Sequence, residues 1–374
     1  MENKKILLFS GLAVFFLLAA GIIMSNQQPN NSQINMTDGD IGGNKSANGQ
    51  SFMRTSDGRK YTVHPDNLIQ GCPGMDCIPS VDDPSFETAE EAQWLEENDR
   101  IIGLEINGDA RAYPLNILSR HEIVNDNVGG EPVAVTYCPL CRSGVTYFRE
   151  LNGEILEFGV SGKLHNANLV MYDRSSETYW NQISGKAIVG EKVPQELNLL
   201  FSSITTWSEW KEGHPETRVL SRNTGIYPAS TYETGSYQSY KNSERVGFGV
   251  EEFDERLPSK ELVHGIRIAN ESKAYPEKVF EQKGLVEDQI KDKKVILFKK
   301  PVDGAVIALI THQTDTKFQL NQENITDSNG DAWSFEGEQI NGNGSMRQVV
   351  PQGFYWFAWS KFNPDTQIYK SRTG

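Results

Sequence analysis

Apolar and polar positions divide the chain into three stretches of different character. From Ile6 to Met24 the residues are apolar apart from Ser10, Gly11 and Gly21. As a helix that run would be roughly 28 Å long, close to the hydrocarbon thickness of a bilayer. Residues 25–60 lose the apolar content and are rich in Asn, Gln, Ser, Gly and Asp. Such a composition predicts a flexible linker. From Tyr61 onward, short runs of β-branched and aromatic residues alternate with clusters of Gly, Pro, Asn and Asp. That is the pattern of short strands joined by turns. Helical signals are few and brief; Asp83-Pro-Ser-Phe-Glu-Thr-Ala-Glu-Glu-Ala-Gln-Trp-Leu reads as one short helix with acids in its first turn. Strand-like segments outnumber helical ones, which predicts an α+β, β-rich fold.

The pattern also repeats. Residues 103–118 read Gly-Leu-Glu-Ile-Asn-Gly-Asp-Ala-Arg-Ala-Tyr-Pro-Leu-Asn-Ile-Leu, and residues 265–280 read Gly-Ile-Arg-Ile-Ala-Asn-Glu-Ser-Lys-Ala-Tyr-Pro-Glu-Lys-Val-Phe. In both, a strand, a polar turn and Ala-Tyr-Pro lead into a short helix. The offset from Tyr113 to Tyr275 carries on, so that Val133-Ala-Val faces Val295-Ile-Leu. With gaps, Trp207-Ser-Glu-Trp-Lys-Glu-Gly-His-Pro matches Phe357-Ala-Trp-Ser-Lys-Phe-Asn-Pro. A tandem duplication, about 100–221 and about 262–372, accounts for these matches. The expected order is a cytoplasmic tip (1–5), a transmembrane anchor or signal (6–24) and the linker (25–60). A site-bearing domain (61–250) and a degenerate second repeat (251–374) follow.

Chemistry concentrates in the first repeat. Val133-Ala-Val-Thr-Tyr-Cys138-Pro-Leu-Cys141-Arg-Ser-Gly-Val-Thr-Tyr-Phe148 is a strand, a turn and a second strand, with two thiols at the tip. Where the second repeat aligns with Cys138-Pro-Leu-Cys141 it carries Lys299-Lys-Pro-Val. It has Lys283 in place of His121 and Asn363 in place of His214. Scaffold is shared while the reactive set is confined to one copy.

Cys-Pro-x-Cys is the spacing of redox centres and of zinc knuckles alike. Three readings stay open for Cys138 and Cys141: a redox-active or metal-binding dithiol, a stable structural disulfide, and half of a structural zinc site completed by Cys72 and Cys77. His121, with Glu122 and Asp126 nearby, is a candidate base or co-ligand. Met171 would add a thioether, and a thiolate, thioether and imidazole set suits copper better than zinc. Cys72 and Cys77 bracket a tight loop and are read as a local disulfide staple. Asp173 and Arg174 are read as an ion pair in the site wall, and Gly159 and Gly162 as places where the backbone approaches a neighbour closely.

Charge and cysteine usage set the context. The chain carries 36 Lys and Arg against 50 Asp and Glu, a net charge of −14. That balance repels phosphate backbones and argues against a nucleic-acid partner. Lys4-Lys5 before the apolar run predict a cytoplasmic N-terminus and an extracytoplasmic body at the cell membrane. An even number of cysteines and several Asn-x-Ser/Thr sequons fit an exported chain. No Gly-x-Ser-x-Gly elbow, His-Glu-x-x-His helix, phosphate loop or dinucleotide fingerprint occurs.

Taken as a set, Ala112-Tyr-Pro, His121-Glu-Ile-Val-Asn-Asp, Val135-Thr-Tyr-Cys-Pro-Leu-Cys141, Phe158-Gly-Val-Ser-Gly-Lys-Leu, Met171-Tyr-Asp-Arg174 and His214-Pro resemble the DUF3179 family. The resemblance spans about Gly71 to Tyr275. It implies an exported or membrane-anchored setting and supplies no reaction. The loop of Cys72 and Cys77 departs from the family, whose members commonly carry Gly-Ile-Pro there without thiols. The expectation is therefore a membrane-anchored protein whose dithiol serves thiol redox or copper handling, with an unidentified redox or metal partner. The alternative is a surface binding module in which both cysteine pairs are structural disulfides.

Overall fold

The computed structural model describes residues 53–370 apart from short stretches at 56–57, 234–235, 251, 302, 322–323, 337–338 and 343–345. The apolar run 6–24 lies outside the described residues, as does all but the end of the linker. Among those described, no helix is long and apolar enough to cross a membrane.

The fold is α+β and β-rich, with short helices set between sheets. Strands Arg100–Ile106 and Asp109–Pro114 form a hairpin in the register Ile102↔Tyr113. Its turn is Asn107-Gly108, both at positive φ, the backbone that a tight two-residue turn requires. Helix Leu115–His121 follows, then a meander of Ile123–Val128, Glu131–Cys138 and Ser143–Phe148. A sheet built on Phe158–His165, Asn168–Asp173, Tyr179–Asn181 and Ala187–Val189 comes next. Strand Ser203–Thr206 then returns to the first hairpin, followed by helix Trp207–Gly213 and strand Arg218–Leu220, which runs parallel to Asp109–Pro114.

The same order recurs in the second half. Leu262–Ile268 and Glu271–Pro276 form the hairpin, helix Lys278–Lys283 follows, and Leu285–Ile290, Lys293–Lys299 and Val306–Thr311 form the meander. Strand Gln352–Tyr355 returns to the hairpin, helix Trp356–Phe362 follows, and Gln367–Ile368 adds in parallel.

Two glycines fix how each tryptophan helix sits on its hairpin. A Cβ at Gly103 would lie 2.3 Å from the Trp210 ring, and one at Gly265 would lie 2.1 Å from the Trp359 ring. Each indole is tied the same way: Trp210 Nε1 donates to Thr217 Oγ1 at 2.9 Å and Trp359 Nε1 to Thr366 Oγ1 at 2.8 Å.

The halves grip each other reciprocally. The meander tip of the first half meets the head of the second half's tryptophan helix, where Tyr355 N donates to Cys141 O at 2.9 Å. The corresponding tip of the second half meets the first, where Thr205 Oγ1 donates to Asp303 O at 2.8 Å. One buried apolar cluster therefore contains Cys138, Cys141 and Met171 together with Val263 and Phe354 to Trp359.

Two local expectations are corrected. The stretch after Asp83 is not a helix: Phe86–Thr88 is a strand paired with Arg218–Leu220. Thr88 and Glu91 exchange side-chain and backbone hydrogen bonds, but these close a turn rather than open a helix. Asp173 and Arg174 do not pair with each other. Asp173 ends its strand and Arg174 begins the following turn. Asp173 accepts from Trp180 Nε1, Ser175 and Ser176, while Arg174 pairs with Asp76, Asp82 and Glu157.

Candidate functional site

The dithiol sits where a strongly strand-forming sequence is forced to turn. Val133-Ala-Val-Thr-Tyr pairs with the returning strand down to Cys138↔Ser143, and Arg142 closes the turn at φ 54°. Pro139 ends the ladder because it has no N–H to donate. Both sulfurs are buried, with Cys138 at 1% and Cys141 at 0% exposure, and they are not bonded to each other.

Above them lies the turn between Phe158–His165 and Asn168–Asp173. Asn166 and Ala167 both adopt positive φ, 52° and 60°. Asn tolerates that backbone, whereas Ala at this position costs about 1–2 kcal/mol. The turn aims the Ala167 carbonyl at both sulfurs, 3.7 Å from Cys138 Sγ and 3.3 Å from Cys141 Sγ. Asn168 Nδ2 lies 3.9 Å from Cys141 Sγ and donates to Gln182 Oε1 at 2.8 Å. Gln182 in turn accepts from Ser143 Oγ and donates to Thr136 Oγ1. Asn168, Gln182, Ser143 and Thr136 are fully buried, so this chain of hydrogen bonds keeps their polar atoms satisfied.

The two thiols are inequivalent. Burial pushes Cys138 up, but hydrogen bonds from the Cys141 side chain and from the backbone at Cys141, Leu169 and Leu140 outweigh it, and its thiol is more acidic than usual. Burial, the hydrogen bond to Cys138 and the charge of Cys138 push Cys141 well above the ordinary thiol range. The two surroundings therefore act on the pair in opposite directions.

Glu122, at the left-handed C-cap of helix Leu115–His121, is the carboxyl whose charge both sulfurs feel. Burial first, and Cys138 second, hold it well above the usual carboxylate range. Tyr237 and Tyr240 face the same cage, each raised by burial and then by the charges around the dithiol. Tyr240 Oη donates to Leu140 O at 3.1 Å, which lays the connection between the halves over the turn. Among the described residues the buried Tyr137 hydroxyl meets no hydrogen-bond partner.

His121 is placed otherwise. Its Nδ1 lies 2.7 Å from Pro79 O and its Nε2 lies 2.6 Å from Tyr232 Oη, so both ring nitrogens are engaged away from the sulfurs. Met171 packs in the same apolar cluster as the thiols, fully buried on strand Asn168–Asp173. Among the described residues, no group of three or more His, Cys, Asp or Glu is gathered to hold a metal ion.

Cys72 and Cys77 form a disulfide with each other. Its loop packs on Gly162, where a Cβ would lie 2.3 Å from Gly74 O, and Asp76 in the loop holds Tyr172 and Arg174. The close backbone approach expected at Gly162 is made by this loop.

Sequence reasoning reached the two thiols and named Glu122 only as a neighbour of His121. Glu122 adjoins His121 in the chain, but a helix that ends in a left-handed cap turns its last two side chains in different directions. Asn168, Gln182, Tyr237 and Tyr240 left no local signal, since they reach the site only through tertiary packing.

A family model described as a protein of unknown function, DUF3179, matches residues 75–366, and the chain belongs to that family. The match runs beyond the first half and takes in most of the second. No curated protein and no solved structure matches the chain.

Proposed function

We propose that the chain is a membrane-anchored, extracytoplasmic thiol–disulfide exchange protein whose working pair is Cys138 and Cys141. The observation that carries this reading is a pair of unbonded thiols three positions apart at a hairpin tip, both facing the Ala167 carbonyl and pushed in opposite directions by their surroundings. The Cys72–Cys77 disulfide suits an oxidising compartment. The apolar run 6–24 supplies the anchor. Like strand orders in the two halves support a tandem duplication in which only the first copy kept the thiols.

The Cys138 thiolate attacks one sulfur of a partner disulfide, forming a mixed disulfide and releasing a partner thiolate. Glu122 gives that thiolate its proton. The Glu122 carboxylate then takes the proton of Cys141, whose sulfur attacks Cys138 Sγ and releases the second partner sulfur as a thiolate, which solvent protonates. The chain ends oxidised as Cys138–Cys141 and the partner ends reduced. Both sulfurs are covered, so exchange requires the connection bearing Tyr237 and Tyr240 to move aside. Copper or zinc is not taken into this reading, because the imidazole of His121 is committed to Pro79 and Tyr232.

Oxidised glutathione added to reduced Cys141→Ser protein tests the order of events. The expected result is a stable mixed disulfide at Cys138, absent in Cys138→Ser and transient in the parent. If neither variant forms an adduct and both only melt earlier, the pair is a structural element and the chain is a surface binding module.

A further inference from the structure

We propose that the seam between the two halves holds a binding site for a small organic carboxylate, with Arg267 as the group that recognises it. The seam contains a cavity of about 270 Å³. Its wall comes from both halves: Tyr147, Ile183 and Leu199 from the first, Ile266, Arg267 and Val350 from the second. It exists only when the halves are docked.

Arg267 is held in a fixed pose by neutral groups. Its Nε donates to Asn363 Oδ1 at 2.6 Å, its Nη1 donates to Gln352 Oε1 at 2.9 Å, and its guanidinium lies 4.8 Å from the centre of the Trp359 ring. Among the described residues no carboxylate comes within ion-pair distance of it. Burial lowers its pKa to about 10, against the pull of Tyr147 and Glu196. A desolvated guanidinium that keeps part of its donor fork for the cavity is suited to a planar, bidentate carboxylate. Glu196 lines the same cavity, its pKa raised by burial against the pull of Lys186 and Arg267, and it stands beyond ion-pair distance of the guanidinium.

The first half shows what fills the equivalent position there. Gly103 and Gly265 lie under the corresponding tryptophans, which places Glu105 where Arg267 stands and His214 where Asn363 stands. Glu105 Oε2 lies 3.3 Å from His214 Nδ1, and the His214 ring is closed on its other side by the Asp303 carboxylate, 3.5 Å from Nε2. The second half has a guanidinium where the first has the Glu105 carboxylate, and among the described residues no carboxylate forms an ion pair with it. The space beside it is apolar at Ile183, Ile266 and Val350, so the ligand carries a compact apolar body behind its carboxylate.

Benzoate, benzamide and inorganic phosphate, titrated into the full chain by calorimetry and by shift of melting temperature, test the proposal. Saturable binding of benzoate is expected. Benzamide and phosphate should bind at least about tenfold more weakly, since they lack the charge or the apolar body. Arg267→Met should weaken benzoate by at least about tenfold. Val350→Trp fills the cavity while leaving Arg267 in place and should abolish binding, which keeps the test open if Arg267→Met fails to fold. Equal binding of benzoate and benzamide, phosphate as strong as benzoate, binding that survives Val350→Trp, or no benzoate effect at about 10 mM would overturn the assignment.

Discussion

Cys138 and Cys141 share one carbonyl, that of Ala167, yet their surroundings push them in opposite directions. For Cys138 the hydrogen bond from the Cys141 side chain and then backbone donors outweigh burial, while for Cys141 burial, the hydrogen bond to Cys138 and its charge all push upward. Glu122 is held well above the usual carboxylate range by burial and then by the Cys138 charge. Its native pKa lies well above 4.5, so between that value and the native pKa the folded chain binds more protons than the unfolded one. Stability contributed by this group is full below pH 4.5 and is lost as pH rises through the native value. The slope is at most about 1.4 kcal/mol per pH unit. Glu122→Gln removes that slope. Denaturant unfolding of the two proteins side by side should give a stability difference that grows in the variant's favour from pH 4 to pH 7. A difference that stays flat across that range would show that Glu122 is not held neutral.

At the scale of elements, close approach decides geometry. Each tryptophan helix lies on a glycine, and the ring leaves no room for a methyl group. Gly103→Ala and Gly265→Ala are each expected to cost about 3 kcal/mol by overpacking, read as a drop in melting temperature. A loss below about 0.5 kcal/mol would mean the helices are free to shift. Much at this scale was legible in the chain. The Ala-Tyr-Pro turns, the paired strands around Cys138 and the short loop of Cys72 and Cys77 all follow from local residue types, because turn chemistry and alternation act over a few positions. The stretch after Asp83 departs from the expected helix because acids following a turn are equally at home in a lone turn, which Thr88 and Glu91 close here. His121 was expected beside the thiols, but its ring nitrogens are engaged by Pro79 O and Tyr232 Oη, contacts between distant segments that no local pattern announces.

At the scale of the whole molecule, the halves interlock through their meander tips, so the dithiol turn is braced by a strand end of the opposite half. Asp303 on the other tip is buried, paired with Lys300 at 2.5 Å and with His214 at 3.5 Å. Burial would raise its pKa, but the hydrogen bond from His214 and the Lys300 charge hold it below 3.8. Its contribution is therefore present at neutral pH and is lost as pH falls through the native value. Asp303→Asn should cost about 3 kcal/mol at pH 7. Near-ultraviolet and far-ultraviolet dichroism should still report one coincident transition; two separated transitions would show that the halves fold independently. The central claim is that Cys138 and Cys141 are a reversible redox pair in the folded chain. It is tested most directly by equilibrating the protein with graded ratios of reduced and oxidised glutathione, trapping thiols by alkylation, and weighing the peptide that contains both cysteines. The account predicts a two-electron transition between dithiol and disulfide at this pair, with Cys72–Cys77 oxidised throughout and the fold intact. A pair that stays wholly reduced or wholly oxidised across the series, or that oxidises only as the chain unfolds, would contradict it.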